Sequence, residues 1–236
     1  MWNEKRRSRI VAALRGGGGK VGAGELMRRV CGFAVDEMAV SGCALALISG
    51  AESLGILASA GRHLARITEL QFDLGEGPCL QAYASGIPVL VPDLAVQGAA
   101  RWPVFTGAAA RPGVRAEFCF PLGVGRITIG VFDLCRDEPG MLSDEHLADA
   151  RVAADIARDA VLYLQDPPGH PALSALFEIV GMDRLVIHQA AGMIAVQLDE
   201  EPSDALARLR AAAFESERSI YGIAQDVVER RVKFGE

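Results

Sequence analysis

An α+β domain built on an antiparallel sheet, followed by a small all-α domain of three helices, is what this sequence predicts. Three observations carry that reading. Short apolar runs, alternating or continuous, recur between residues 22 and 165 with glycine turns between them. Asp166-Pro167-Pro168-Gly169-His170-Pro171 sets three prolines and a glycine within six residues, and no helix runs through such a stretch. Beyond it strand signals cease, and an alanine-rich chain carries apolar residues at helical steps. The expected organisation is a flexible basic N-terminal segment over 1–21, the α+β domain over 22–165, a proline-rich linker at 166–171 and the helical domain over 172–236.

The first element of the α+β domain is an amphipathic helix from Glu25 to Met38, with Leu26, Val30, Phe33 and Val35 among its apolar positions. Gly42 separates it from Cys43–Ser49, an apolar run suited to a buried strand, and Leu54–Ala60 forms the hairpin partner. A helix over Arg62–Phe72 follows, then Gly75-Glu76-Gly77-Pro78 and a helix over Cys79–Ser85 that ends at Gly86. Strands are expected at Pro88–Val91, Ala116–Leu122 and Arg126–Leu134, the last two joined through Gly123-Val124-Gly125. Ser143-Asp144-Glu145 starts a helix reaching Leu164, whose Leu147, Ala150, Ala154, Ala157 and Val161 form one stripe. The helical domain reads as Met182–Val196, Asp204–Glu215 with Ser203 as its cap, and Ile220–Val232.

Composition narrows the function classes. Half of the 236 residues are apolar and 23% are charged, so the chain can bury cores. No apolar run approaches the roughly 20 residues that span a bilayer, and Val11-Ala12-Ala13-Leu14 is too short for a secretory core. A cytoplasmic location is expected. The five cysteines (Cys31, Cys43, Cys79, Cys119, Cys135) and four histidines are scattered, so neither a metal site nor a disulfide framework is expected, and no cofactor. The net charge of −6 argues against bulk attraction to nucleic acid. From Pro171 onward seven Lys/Arg face eleven Asp/Glu, a balance of −4, so any contact there is local and shape-directed.

Gly75-Glu76-Gly77-Pro78-Cys79-Leu80, then Phe120-Pro121-Leu122, then Arg126-Ile127-Thr128-Ile129-Gly130-Val131-Phe132-Asp133-Leu134, followed by a long helix, resemble a GAF domain in content and order. The resemblance implies a small-molecule sensor, a dimerisation module, or both. Within it, Cys79 at a helix start is a candidate reactive thiol or a small buried side chain. Glu117 and Asp133 either orient a ligand or are surface and turn residues; Trp102 and Phe105 either cover a pocket or pack a satellite core. No base is identifiable beside Cys79, Cys119 or Cys135, so an enzyme is not expected.

In the helical part, Ile187-His188-Gln189-Ala190-Ala191-Gly192-Met193-Ile194, Ala205–Ala213 and Ile220–Val228 together resemble an ANTAR domain. That resemblance implies a dimeric RNA-binding antiterminator that grips tandem stem-loops in nascent transcripts. It carries over to Arg184, Ala190, Gly192 and Arg210 as RNA-contacting positions, the small residues admitting RNA to the helix backbone. Ala191 stands where the family usually has lysine. On residue type alone, Arg208 and Arg210 are equally solvated charges pairing with Asp204 or Glu215, and Gly192 equally a helix-packing glycine. The expected function is a homodimeric, ligand-responsive antitermination regulator; the alternative is a dimerisation or protein-interaction regulator that has lost RNA binding.

Overall fold

The structure, a computed structural model, describes residues 2–15, 22–49, 52–125, 127–165, 186–216 and 218–235. The chain divides into two compact units, Met1–Leu173 and Ser174–Glu236.

In the first unit five antiparallel strands lie in the order β2-β1-β5-β4-β3, where β1 is Gly42–Ser49, β2 Glu52–Gly61, β3 Val89–Val91, β4 Ala116–Val124 and β5 Ile127–Arg136. The sheet is covered on both faces. Leu45, Phe118, Phe120, Phe132 and Leu134 are all buried, and helices α2 (Ala23–Glu37) and α7 (Asp144–Gln165) pack against these strands. The alternate set, including Ala44, Cys119, Val131 and Cys135, joins Leu64, Ile67, Cys79, Trp102 and Phe105 in a second core. That core is closed by α3 (Leu64–Leu74), α4 (Pro78–Ser85), the short α5 (Leu94–Gln97) and α6 (Pro103–Ala109). Period-two alternation therefore survives in strands that are apolar on both sides. Gly130 allows β5 to approach β1, since a Cβ there would stand 2.2 Å from the Ala46 carbonyl oxygen.

In the first unit, strand and helix limits agree with the sequence reading to within a few residues, except that α5 and α6 fall where no helix is expected and that the N-terminal segment differs; the expected helix start at Met182 lies outside the described residues. Trp2–Leu14 is a helix, α1, rather than a flexible head. Ile10 and Leu14, one turn apart, are buried, and α1 packs on α2 and α7. On its basic face Arg6 and Arg9 both pair with Asp149, whose side chain is 3% exposed. The positive charges dock the segment instead of keeping it in solvent. Gly16–Gly19 and the 166–171 linker lie outside the described residues.

In the second unit, α8 (residues 186–198), α9 (Pro202–Glu215) and α10 (Ile220–Val228) enclose a core of Ala190, Ile194, Leu209, Ala213, Ile223 and Val227. Two end signals differ from expectation. Pro202 occupies the first turn of α9 with Glu201 as the cap residue, and Ser203 is inside the helix. Helix α10 stops about a turn early, at Val228, and Arg230 then adopts a left-handed φ of 60°. Its start is capped by Ser219, which accepts from the Gly222 amide at 3.1 Å. Among the described residues no helix is long and apolar enough to cross a membrane.

Candidate functional site

Polar chemistry is concentrated where the α3–α4 side of the sheet meets its central strands. On β4 and β5, Cys119 stands opposite Asp133 and Glu117 opposite Cys135, which brings two carboxylates and two thiols onto one buried face. Helix α3 contributes Thr68 and Gln71 one turn apart, both fully buried. Thr68 Oγ1 donates to Asp133 Oδ2 at 3.1 Å, and Gln71 Nε2 donates to Glu117 Oε1 at 2.6 Å. Cys119 Sγ lies 3.3 Å from Asp133 Oδ1 and 3.6 Å from Glu117 Oε1.

The Gly75-Glu76-Gly77-Pro78 turn builds the wall of this cluster. Gln71 Oε1 accepts the Cys79 backbone N–H at 2.7 Å, so one amide side chain links the start of α4 to Glu117. Gly77, at φ 144°, makes the approach possible: a Cβ there would lie 2.3 Å from Gln71 Oε1. Glu76 Oε1 accepts the amides of Val104 and Phe105 at 2.8 Å each, supplying the first turn of α6 with the acceptor that its own cap residue, Trp102, lacks.

Burial dominates the electrostatics. Loss of water, then the neighbouring Asp133 charge, pushes the Glu117 carboxyl well above the usual carboxylate range. Burial lifts Asp133 to about 6, opposed by hydrogen bonds from Cys119, Glu117 and Thr68. Two buried carboxyls this close cannot both be bare anions; the pair retains a positive charge between them, a proton in the simplest case. The Cys79 thiol is pushed well above its ordinary value by burial and then by Asp133 and Glu117, the reverse of what activates a thiol at a helix start. All five cysteines are buried and free of disulfides.

The surface or turn role considered for Glu117 and Asp133 is therefore corrected: both are 0% exposed. Trp102 and Phe105 belong to the core beside them. Thr68 and Gln71 escaped the sequence reading; the signal was two polar residues at a helical step on the same face as Leu64 and Ile67.

In the helical unit the proposed positions separate. Ala190 is fully buried among core residues and Ala191 is 3% exposed, so Ala190 is a packing residue and not a surface open to RNA. Gly192 is half-buried on α8, and a Cβ there would meet nothing within 4 Å among the described residues, so helix packing among them does not require it. Arg210 is half-buried on α9, and Arg184 lies outside the described residues. Arg208 pairs with Glu200, at 2.7 Å, rather than with Asp204 or Glu215.

Comparison with known proteins bears on the first unit. The family model for the GAF domain matches residues 22–165. Among solved structures, the GAF domain of a Coxiella burnetii phosphoenolpyruvate-protein phosphotransferase is similar at 13% identity and a TM-score of 0.54, over 69% of this chain and 94% of that one. The corresponding Acinetobacter domain gives 13% identity and a TM-score of 0.52, over 70% and 96%. The GAF region of a putative membrane protein from Geobacter sulfurreducens gives 14% and 0.51, over 60% and 93%. At such identities the likeness is one of fold. No curated protein matches the chain. The matched segment is more than half of the chain and includes the whole sheet with the polar cluster beneath α3 and α4, so the protein belongs to the GAF-domain family.

Proposed function

We propose that this protein is a non-enzymatic, signal-responsive regulator in which the GAF domain controls a dimeric, ANTAR-type helical module that binds tandem stem-loops in nascent RNA and prevents termination. Family membership carries the coarser part of that reading, a sensory or signalling role. The finer part is supported by the ordered resemblance across residues 187–194, 205–213 and 220–228, which coincide with three packed helices. The observation carrying it is Gly192. An open glycine in the middle of a helix sacrifices helix propensity with no packing reason among the described residues, and it leaves bare backbone for an unpaired base or phosphate to approach. Two modules in a dimer would raise affinity through effective concentration.

A second reading, an interaction module without RNA binding, is favoured by two observations. Ala190 and Ala191 are core residues, and the guanidinium groups of Arg208, Arg218 and Arg231 are all engaged in ion pairs. RNA crosslinking with sequencing on the wild type and Arg210→Ala separates the readings. The first expects stem-loops upstream of terminators to be enriched by the wild type and lost in the variant. Absence of stem-loop enrichment with the wild type, together with no binding of stem-loop RNA at low salt, establishes the second.

A further inference from the structure

The Glu117–Cys119–Asp133 cluster has a donor deficit. Two carboxyl groups and a thiol meet in a fully buried space, where Thr68, Gln71, the Cys119 thiol and the contact between Glu117 and Asp133 supply the side-chain hydrogen bonds. A thiol has one hydrogen, yet Cys119 Sγ is in contact with both carboxylates. Glu117 Oε2 is buried, and among the described residues nothing donates a hydrogen bond to it. An unpartnered, fully buried carboxylate oxygen is costly unless a proton or another positive charge answers it.

The separations suit a metal as well as they suit thiol hydrogen bonds. One ligand atom from each residue lies within 4.8 Å of the other two. The two sulfur–oxygen distances are 3.3 and 3.6 Å. A tetrahedral centre with a sulfur ligand at about 2.3 Å and oxygen ligands at about 2.0 Å gives a sulfur–oxygen edge of about 3.5 Å. An octahedral centre would bring these atoms closer, to about 3.0 Å. The thiolate selects against Mg²⁺ and Ca²⁺, which take oxygen donors.

We propose that Glu117, Cys119 and Asp133 form a buried binding site for a divalent first-row transition-metal ion, Zn²⁺ in the first instance, inside the sensory domain. Three protein ligands leave a fourth position for solvent or an added ligand. Thr68 Oγ1, bonded to Asp133, and Gln71 Nε2, bonded to Glu117, fix the carboxylates from behind, the outer support that a metal site needs. On binding, one metal–sulfur and two metal–oxygen bonds form, and the Cys119 proton and any proton held by the carboxyl pair pass to solvent; no electron is transferred. The site concerns the GAF domain alone, so its failure leaves the RNA reading standing, and the converse holds.

The test uses the full chain. Elemental analysis of the purified protein should find about one equivalent of a first-row divalent metal per chain. After unfolding in chelator and refolding with Co²⁺, the wild type should show an intense sulfur-to-cobalt absorption in the near ultraviolet. Cys119→Ser should lose that band, while Cys135→Ser, altering the neighbouring thiol outside the trio, should keep it. Glu117→Gln guards against a folding artefact: it removes a buried acid, so the metal-free variant should melt at or above the wild-type temperature, and Zn²⁺ should no longer raise its Tm. A folded wild type with neither metal nor cobalt band overturns the site, as does a Glu117→Gln protein that responds to Zn²⁺ as the wild type does.

Discussion

Gln71 Nε2 donates to Glu117 Oε1 at 2.6 Å while the other end of the same amide, Oε1, accepts the Cys79 backbone N–H at 2.7 Å. One side chain on α3 thus holds both the central strand β4 and the first turn of α4. Gln71, Glu117 and Cys79 are all fully buried, so each bond is worth more than its surface counterpart and costs more to lose.

Replacing Gln71 by Leu keeps the volume and deletes both bonds. The Cys79 N–H and a Glu117 oxygen are left without partners, and the unfolding free energy should fall by about 2–4 kcal/mol. Urea unfolding checks this. The double variant Gln71→Leu/Glu117→Leu should lose less than the sum of the single changes, because the leucine at 117 needs no donor. Additive losses would show that the two side chains are not energetically coupled.

Glu76 acts at a distance in sequence on α6, whose first amides it caps through Val104 and Phe105. Glu76→Ala should cost about 1 kcal/mol, the usual range for a lost helix cap. Hydrogen exchange at the Val104 and Phe105 amides should accelerate selectively. Glu76→Gln keeps an accepting oxygen and should fall between wild type and alanine on both measures.

Helix α1 is held by Asp149, paired with Arg6 (side chain 11% exposed) and Arg9 (48% exposed). Asp149→Ala removes the carboxylate that Arg6 and Arg9 share, leaving Arg6 its bond to the Glu145 carbonyl, and should destabilise the first unit by about 3 kcal/mol, the low end of the cost for breaking a buried pair. Arg9→Ala, removing the half-exposed partner, should cost under about 1 kcal/mol. Limited trypsin digestion supplies the second readout: cleavage after Lys5, Arg6 and Arg7 should rise in Asp149→Ala and stay near wild type in Arg9→Ala.

These three relationships differ in how far the sequence discloses them. Strands such as Cys43–Ser49 and Ala116–Leu122 were legible because apolar, β-branched and aromatic residues between glycine turns have few other homes. Helix α1 was not, because two buried residues, Ile10 and Leu14, are a weak period beside four cations, Lys5, Arg6, Arg7 and Arg9. Its docking depends on Asp149, more than a hundred residues away. The site was half legible. Glu117 and Asp133 stood out as charges within strands, but charged residues are rarely buried, which favoured a surface role. Their burial follows from β4 and β5 being central and covered on both faces, a property of the strand order and not of either strand. Thr68 and Gln71 were invisible for the same reason: a polar step on a helix reads as solvent-facing until something polar is placed opposite it.

Gly192 offers a prediction in which stability and function move in opposite directions. A Cβ at this position meets no atom of the described residues within 4 Å, and the residue sits inside α8, so alanine fits them without strain. Gly192→Ala should raise the stability of the helical unit by about 0.5–1 kcal/mol through helix propensity alone. Where the bare backbone is an RNA contact, the added methyl stands between helix and nucleotide, and stem-loop affinity should drop although the protein melts later. Thermal melting and RNA binding measured on one preparation check both signs at once. A variant that is stabilised and binds stem-loop RNA as the wild type does removes Gly192 from the interface. Ala190→Gly is the counter-test, since Ala190 is wholly within the core. It should lower stability through a lost methyl contact and reduced helix propensity, and weaken RNA binding only in proportion to the unfolded fraction.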